Sequence, residues 1–377
     1  MDLFVTTETQ HRIIQQIEQL LPKFAEREYT LDELGSFPFQ NIEDLKHIGY
    51  TMQTVPTEFG GGGISLYDFL LFQEKIAEGD GATALSIGWH MAIVLELAET
   101  RAWDKKIFSW MCENINKGAL LNRAASERAT GSPARGGKPT TTAYKQDDAW
   151  IINGRKTFTS MSPVLDYFIV TATIADTDEV GGFLIPRGTS GFSIEETWDS
   201  VAMRGTASHD IVLDEVKVPL AYLVEIKGKS KVNGSLLHIP ACYLGIAKAA
   251  FDYAVTFAKT HQNNSIPEPI ATLPNVTRLI GEMEVELMQA RHFMYSVAQQ
   301  YDRGYRQEIK GELAAVKYVA TNAAIVVVDK AMRIVGARSL SAKNPLHRYY
   351  LNVRAGLHNP PMDDITISLL AKLATEE

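Results

Sequence analysis

A chain of 377 residues exceeds one ordinary hydrophobic core, so two or three domains are expected. Apolar residues at 45% and charged residues at 22% exclude a disordered or fibrous chain and suit a soluble globular one. The net charge of −8 argues against nucleic acid as a partner, because a phosphate backbone rewards a basic face.

Apolar residues at helical spacing, Ile13, Ile14, Ile17, Leu20 and Leu21, predict a helix over 7–21 with Thr7 as its N-cap. Pro38 and Phe39 start another that runs through Leu45 and His47 and closes at Gly49. The stretch from Pro56 to Gly63 reads as a loop. Its four glycines lack the Lys-Ser or Lys-Thr and the preceding strand of a phosphate loop. Ser65 caps a helix carrying Leu66, Phe69, Leu70 and Phe72. The next, over 82–97, is apolar almost all round and therefore buried; it contains Trp89 and His90. A further helix over 103–115 completes a helical first third.

At Gly118 the texture changes to short β runs broken by turns, such as 167–172, 182–186 and 210–213. Trp150-Ile151-Ile152, then Asn153-Gly154, then Thr157-Phe158-Thr159 predicts a β-hairpin with a type I′ turn at Asn153-Gly154. Its second strand would carry Phe158, Thr159 and Ser160. A polar linker over 228–233 follows. Long helices then return over 236–259, 275–301 and 308–335, with a shorter one over 363–374 whose first turn holds Asp363 and Asp364. The expected architecture is α+β and multidomain: an N-terminal helical domain (1–117), a middle antiparallel β domain (118–226) and a C-terminal four-helix bundle (227–377).

Cys112 and Cys242 lie far apart with no metal-ligand spacing, and read as buried thiols of a reducing compartment. No basic region followed by an apolar run opens the chain. The apolar stretch 323–335 is broken by Asp329, Lys330 and Arg333, which argues against a membrane span. A cytoplasmic location is expected.

Three motifs fall in order along this architecture: VPTEFGGGG from Val55, INGRKTFTS from Ile151, and VAMRGTASHDIVLDEVKVP from Val201. Together they resemble the acyl-CoA dehydrogenase superfamily over essentially the whole chain. That resemblance implies a flavin, FAD or alternatively FMN, enclosed between the three domains. It implies α,β-dehydrogenation of an acyl-CoA thioester, an electron-transfer flavoprotein as partner, and a homodimer or homotetramer. Ser126-Glu127-Arg128-Ala129-Thr130-Gly131-Ser132 is similar to the family's flavin-binding loop, though its proline is absent. Ala125, Ser126, Gly131 and Ser132 are thereby expected to contact cofactor. Phe158 takes the position of the family's tryptophan wall, with Thr159 beside it and the Ser160 hydroxyl near the flavin ring.

The resemblance also fails at specific places. A dehydrogenase needs a carboxylate base at the substrate carbon. Neither 354–361 nor 233–238, where the family keeps that glutamate, contains an acid. A second branch, the reduced-flavin-dependent monooxygenases of the dibenzothiophene monooxygenase type, is similar at His90, at Ser160, at Gly336-Ala337-Arg338 and at Leu357-His358-Asn359-Pro360. That resemblance implies His358, His90 and Ser160 as catalytic donors, Arg338 at the cofactor, and a flavin reductase as partner. A lone histidine in an apolar helix is more often a core residue. A third reading is a flavin-fold protein that has lost catalysis and acts as a binding module.

Overall fold

Thr7 begins α1 (Glu8–Glu18) with a capping box: its hydroxyl accepts from the Gln10 N–H at 3.2 Å, and Gln10 reaches back to the Thr7 N–H. The computed structural model describes residues 3–131, 137–226, 228 and 232–376. The helical pattern that ends at Leu21 continues in a separate α2 (Leu21–Leu34), with Pro22 in its first turn. Then come α3 (Phe39–His47), α4 (Leu66–Gly79), capped by Ser65, α5 (Gly81–Thr100) and α6 (Lys105–Asn116).

Among the described residues, eight strands form the middle of the chain: β1 (Leu121–Ala124), β2 (Thr142–Gln146), β3 (Ala149–Thr159), β4 (Tyr167–Ile174), β5 (Val180–Pro186), β6 (Phe192–Glu195), β7 (His209–Pro219) and β8 (Leu223–Ile226). Their order is β6-β7-β3-β2-β4-β5-β8, with β1 also on β4. The ladders are antiparallel except where β4 runs parallel to β1 and β2.

The expected turn at Asn153-Gly154 is corrected by this register. The β2–β3 hairpin turns at Asp147-Asp148, where Gln146 pairs with Ala149 and Asp147 has φ +53°. β3 passes straight through Asn153-Gly154, and its ladder with β7 slips there. Gly154 has φ +150°, and a Cβ on it would stand 2.5 Å from Thr141 Oγ1. The Asn153 amide donates to Glu215 Oε1 at 2.6 Å and accepts from the Glu215 N–H at 2.7 Å. Glu215 itself has φ +53°. The tolerance for positive φ that suits a turn here serves a β-bulge instead. A second slip lies between Lys156 and Thr159 and encloses Phe158.

The C-terminal part contains α7 (His238–Thr260), α8 (Pro274–Asp302), α9 (Lys310–Val335), α10 (Pro345–Ala355) and α11 (Asp363–Thr375). The short α10 is additional to the expected four; Asn344 caps it and Pro345 opens it. α7 meets α4 at backbone contact, since a Cβ on Gly245 would lie 2.1 Å from Glu74 O. Asp363, at the start of α11, pairs with Lys317 on α9 at 3.1 Å. α5 and α9 are long and apolar enough to cross a membrane by length and composition, yet most of α5 is buried within the fold. Cys112 and Cys242 are buried free thiols. One hydrophobic core spans all three parts of the chain.

Candidate active site

Where the three parts converge they leave a cavity of about 850 Å³. Its walls come from α5, the loop after β1, the end of β3, the loop between β6 and β7, the segment before α7, and the end of α10. That volume lies in the range of cofactor and ligand sites.

Phe158 stands at the bulge near the end of β3. It has φ +57° and is 63% exposed, in contact with the edge of Trp198 at 6.0 Å. A bulky residue in the left-handed region is held there only by surrounding structure, and such strain collects at functional sites. Trp198 is itself fixed by its indole N–H to Met203 O at 3.3 Å. With Trp89 these rings give the cavity flat aromatic faces.

Ala125, Ser126 and Gly131 line the cavity from the loop after β1. The anchor of that loop is Glu127, buried beneath it. Its carboxylate takes the Lys156 ammonium at 2.6 Å and the Thr140 and Thr141 hydroxyls at 2.5 and 2.7 Å. Burial opposes ionisation, but these hydrogen bonds outweigh it and hold the carboxyl down at about 2. The Thr157 N–H donates to Ser126 O at 2.9 Å, tying the loop to β3.

Ser160 lines the same cavity. Its carbonyl accepts from the Asn122 amide at 2.9 Å, and its hydroxyl lies 2.8 Å from that of Ser208. His358, exposed, and the half-buried Arg354 line it from the end of α10. The buried Tyr243 hydroxyl donates to Asn359 at 2.5 Å and so pins the turn that carries His358. Arg354 stacks on Tyr350 at 4.8 Å. Glu96 lines the cavity paired with Arg123, which also binds Glu225 at 2.9 Å.

Three expected site residues fall elsewhere. His90 is not in the cavity. Its Nδ1 accepts from the Leu121 N–H at 3.2 Å, so Nε2 carries the proton and donates to Thr51 O at 3.0 Å. Burial pushes its pKa down to about 4. Both nitrogens are used in joining α5 to β1 and to the N-terminal helices. Adjacent helical residues point about 100° apart, and it is Trp89 that faces the cavity. Thr159 turns away from its neighbours, and its buried hydroxyl has no partner among the described residues. Arg338 is exposed beside His261 at 3.4 Å, away from the cavity. Ser132 lies outside the described residues. Trp198, Asn122, Thr206, Ser208 and Arg354 were not expected at the site; for Trp198, a lone tryptophan among polar residues was the available signal.

Sequence models of the acyl-CoA dehydrogenase N-terminal, middle and C-terminal domains match residues 7–102, 122–216 and 230–357. A Bacillus subtilis protein named "Putative acyl-CoA dehydrogenase YdbM" is 52% identical over 381 residues, covering all of both chains. The chain belongs to the acyl-CoA dehydrogenase family. It is a flavoprotein oxidoreductase family, and solved structures share the fold at lower identity. Butyryl-CoA dehydrogenase from Megasphaera elsdenii superposes with a TM-score of 0.89 at 20% identity, covering 99% of this chain and all of that one. TdsC from Paenibacillus sp. A11-2, in complex with FMN and indole, gives 0.88 at 21%, covering 97% of each.

Proposed function

We propose that this family member holds a flavin, FAD or FMN, in the cavity and uses its reduced form with O₂ to oxygenate a small, largely apolar substrate. The residues present suit a flavin. Phe158, Trp198 and Trp89 offer flat walls, Ser126 and Ser160 offer hydroxyls, and among the described residues nothing stands within 4 Å of where a Cβ on Gly131 would project. The flavin would supply the two electrons and the site of oxygen activation. Ala125, Ser126, Gly131, Phe158 and Ser160 would hold it. His358 would hold or deliver a proton at the opposite wall, as an imidazole can near neutral pH. Leu85, Trp89 and Ile93 would exclude water and take an apolar substrate.

The observation that carries this reading is the condition of the cavity's carboxylates. Dehydrogenation needs a base at the substrate carbon. Glu96 is engaged by Arg123, Glu127 is locked under its loop, and Asp199 is exposed to solvent. Among the described residues, no buried, unpaired carboxylate lines the cavity.

A second reading, α,β-dehydrogenation of an acyl-CoA with electron-transfer flavoprotein as acceptor, is favoured by Arg354. This cavity cation has no carboxylate partner among the described residues and suits an anionic substrate such as CoA. Asp199 would then have to act as base. One experiment separates the readings. Flavin-loaded protein is mixed anaerobically with butyryl-CoA, and separately protein with reduced flavin is given isotopically labelled O₂ and indole. Label in an indole product is expected; bleaching of the flavin by butyryl-CoA would overturn the oxygenase reading.

A further inference from the structure

The end of α10 runs without a break into a single 3-10 turn, Gly356–His358. Arg354 and His358 stand four residues apart on this run and so share a face; both line the cavity, with Asn359 just beyond. Arg354 differs from its neighbours in having no counterion. The other arginine of the cavity wall, Arg123, bridges Glu96 and Glu225. The other arginine of the same face of the chain, Arg348 on α10, binds the buried Glu28 at 2.6 Å. Among the described residues Arg354 has no such partner, and its guanidinium packs over the Tyr350 ring at 4.8 Å. That packing holds the group in place and leaves its N–H donors free.

Asn359 adds a second donor. Its Oδ1 accepts from the fully buried Tyr243 hydroxyl at 2.5 Å. Tyr243 does not line the cavity, so with Oδ1 committed to it the Nδ2 group is what Asn359 offers there. The charges on the cavity wall are otherwise matched or hydrated: Glu96 by Arg123, Glu127 by Lys156, and Asp199 exposed to solvent. The end of α10 is left with one uncompensated positive charge and an amide donor. A single guanidinium suits a monoanion, and its planar fork matches a carboxylate in two parallel hydrogen bonds.

We infer that Arg354 and Asn359 form an oxyanion subsite for the carboxylate of the substrate, which makes the substrate a small, largely apolar carboxylic acid. This rests on the oxygenase reading above for the fate of the substrate, but not for its binding. Arg354 then serves the substrate and not CoA. The apolar body of the acid lies against Leu85, Trp89 and Ile93, and its anchored end lies beside His358.

The test is titration calorimetry of the purified protein with indole and with indole-3-carboxylate, which share a ring and differ by the carboxylate. The acid is expected to bind about tenfold tighter or more, since a charge-assisted pair separates the two. Arg354→Gln should bring the acid down to the affinity of indole and leave indole unchanged. Arg354→Lys keeps the charge without the fork and should retain part of the preference. Asn359→Asp keeps the acceptor for Tyr243 and replaces the amide donor by a negative oxygen, so it should weaken the acid alone. Thermal melts of each variant report folding separately. Equal affinities in the wild type, or a preference that survives both Arg354→Gln and Asn359→Asp, would overturn the inference. FMN and riboflavin, which differ by a phosphate, are compared in the same way: if Arg354→Gln weakens FMN and spares riboflavin, Arg354 serves a cofactor phosphate and the inference falls. A carboxylate preference with no oxygenated product from either ligand leaves the subsite standing and sinks the oxygenase reading instead.

Discussion

The indole of Trp89 stands edge-on to the imidazole of His238, with ring centroids 4.7 Å apart and planes at 76°. Phe69 stacks on His238 at 6.1 Å. Neither nitrogen of this buried histidine has a hydrogen-bond partner among the described residues, and burial pushes its pKa from 6.5 to about 3. Trp89 lines the cavity, so one wall of the site rests on an imidazole kept neutral.

That neutrality gives a pH signature. The unfolded chain takes up a proton at His238 near pH 6.5, and the folded chain does not until about pH 3. Its contribution to stability is full above pH 6.5 and is lost as pH falls through that window, by about 1.4 kcal/mol per unit. His90, lowered to about 4, acts the same way from pH 6.5 to 4. In His238→Phe, the loss of unfolding free energy between pH 7 and pH 5, measured by urea titration, should shrink by about 2 kcal/mol. An unchanged loss would mean that His238 is protonated in the folded protein at pH 5.

Glu127→Gln should be among the most damaging single substitutions, because it leaves Lys156 buried and unpaired. The expected cost is about 3–5 kcal/mol at neutral pH, read by chemical denaturation. Adding Lys156→Met should recover most of it. In the wild type the carboxyl titrates at about 2, below its usual value. Its stabilisation is therefore intact above about pH 4.5 and lost as pH falls toward 2.

Phe158→Gly should separate stability from binding. Glycine adopts φ +57° freely, which removes about 1–2 kcal/mol of backbone cost. The melting temperature should hold or rise, while FMN affinity falls with the lost aromatic wall. A variant that melts early and binds normally would place Phe158 in packing alone.

His358 is exposed, so His358→Ala should melt like the wild type and bind FMN with similar affinity. Product formation should fall by about 10²–10⁴-fold if the imidazole moves a proton. A small change in turnover would remove His358 from the reaction.

Much of the fold was legible because its signals are local. Periodic apolar residues marked the long helices, and Thr7, Ser65 and the β runs marked boundaries. The errors came where a local signal admits two uses. Asn153-Gly154 tolerates positive φ, and only the pairing with Glu215, 62 residues away in sequence, decides for a bulge over a turn. Trp89 and His90 share one apolar helix, and the packing of Thr51 and Leu121 selects which faces the cavity. Ser126, Phe158, Ser160 and His358 came from family motifs, and all four line the cavity. The Ser160–Ser208 contact joins the end of β3 to a loop 48 residues on. No spacing rule connects those positions before the sheet brings them together.

The two slips in β3 make the count of residues matter as much as their identity. Side chains on a strand alternate between faces, so losing one residue reverses every position beyond it. Deleting Gly154 would leave β2 and the start of β3 untouched and still exchange Thr159 for Phe158 and Ser160 at the cavity. The eleven-residue length of β3 is thus itself a determinant of the site. Transplanting this strand between relatives would require matching its length before matching its side chains.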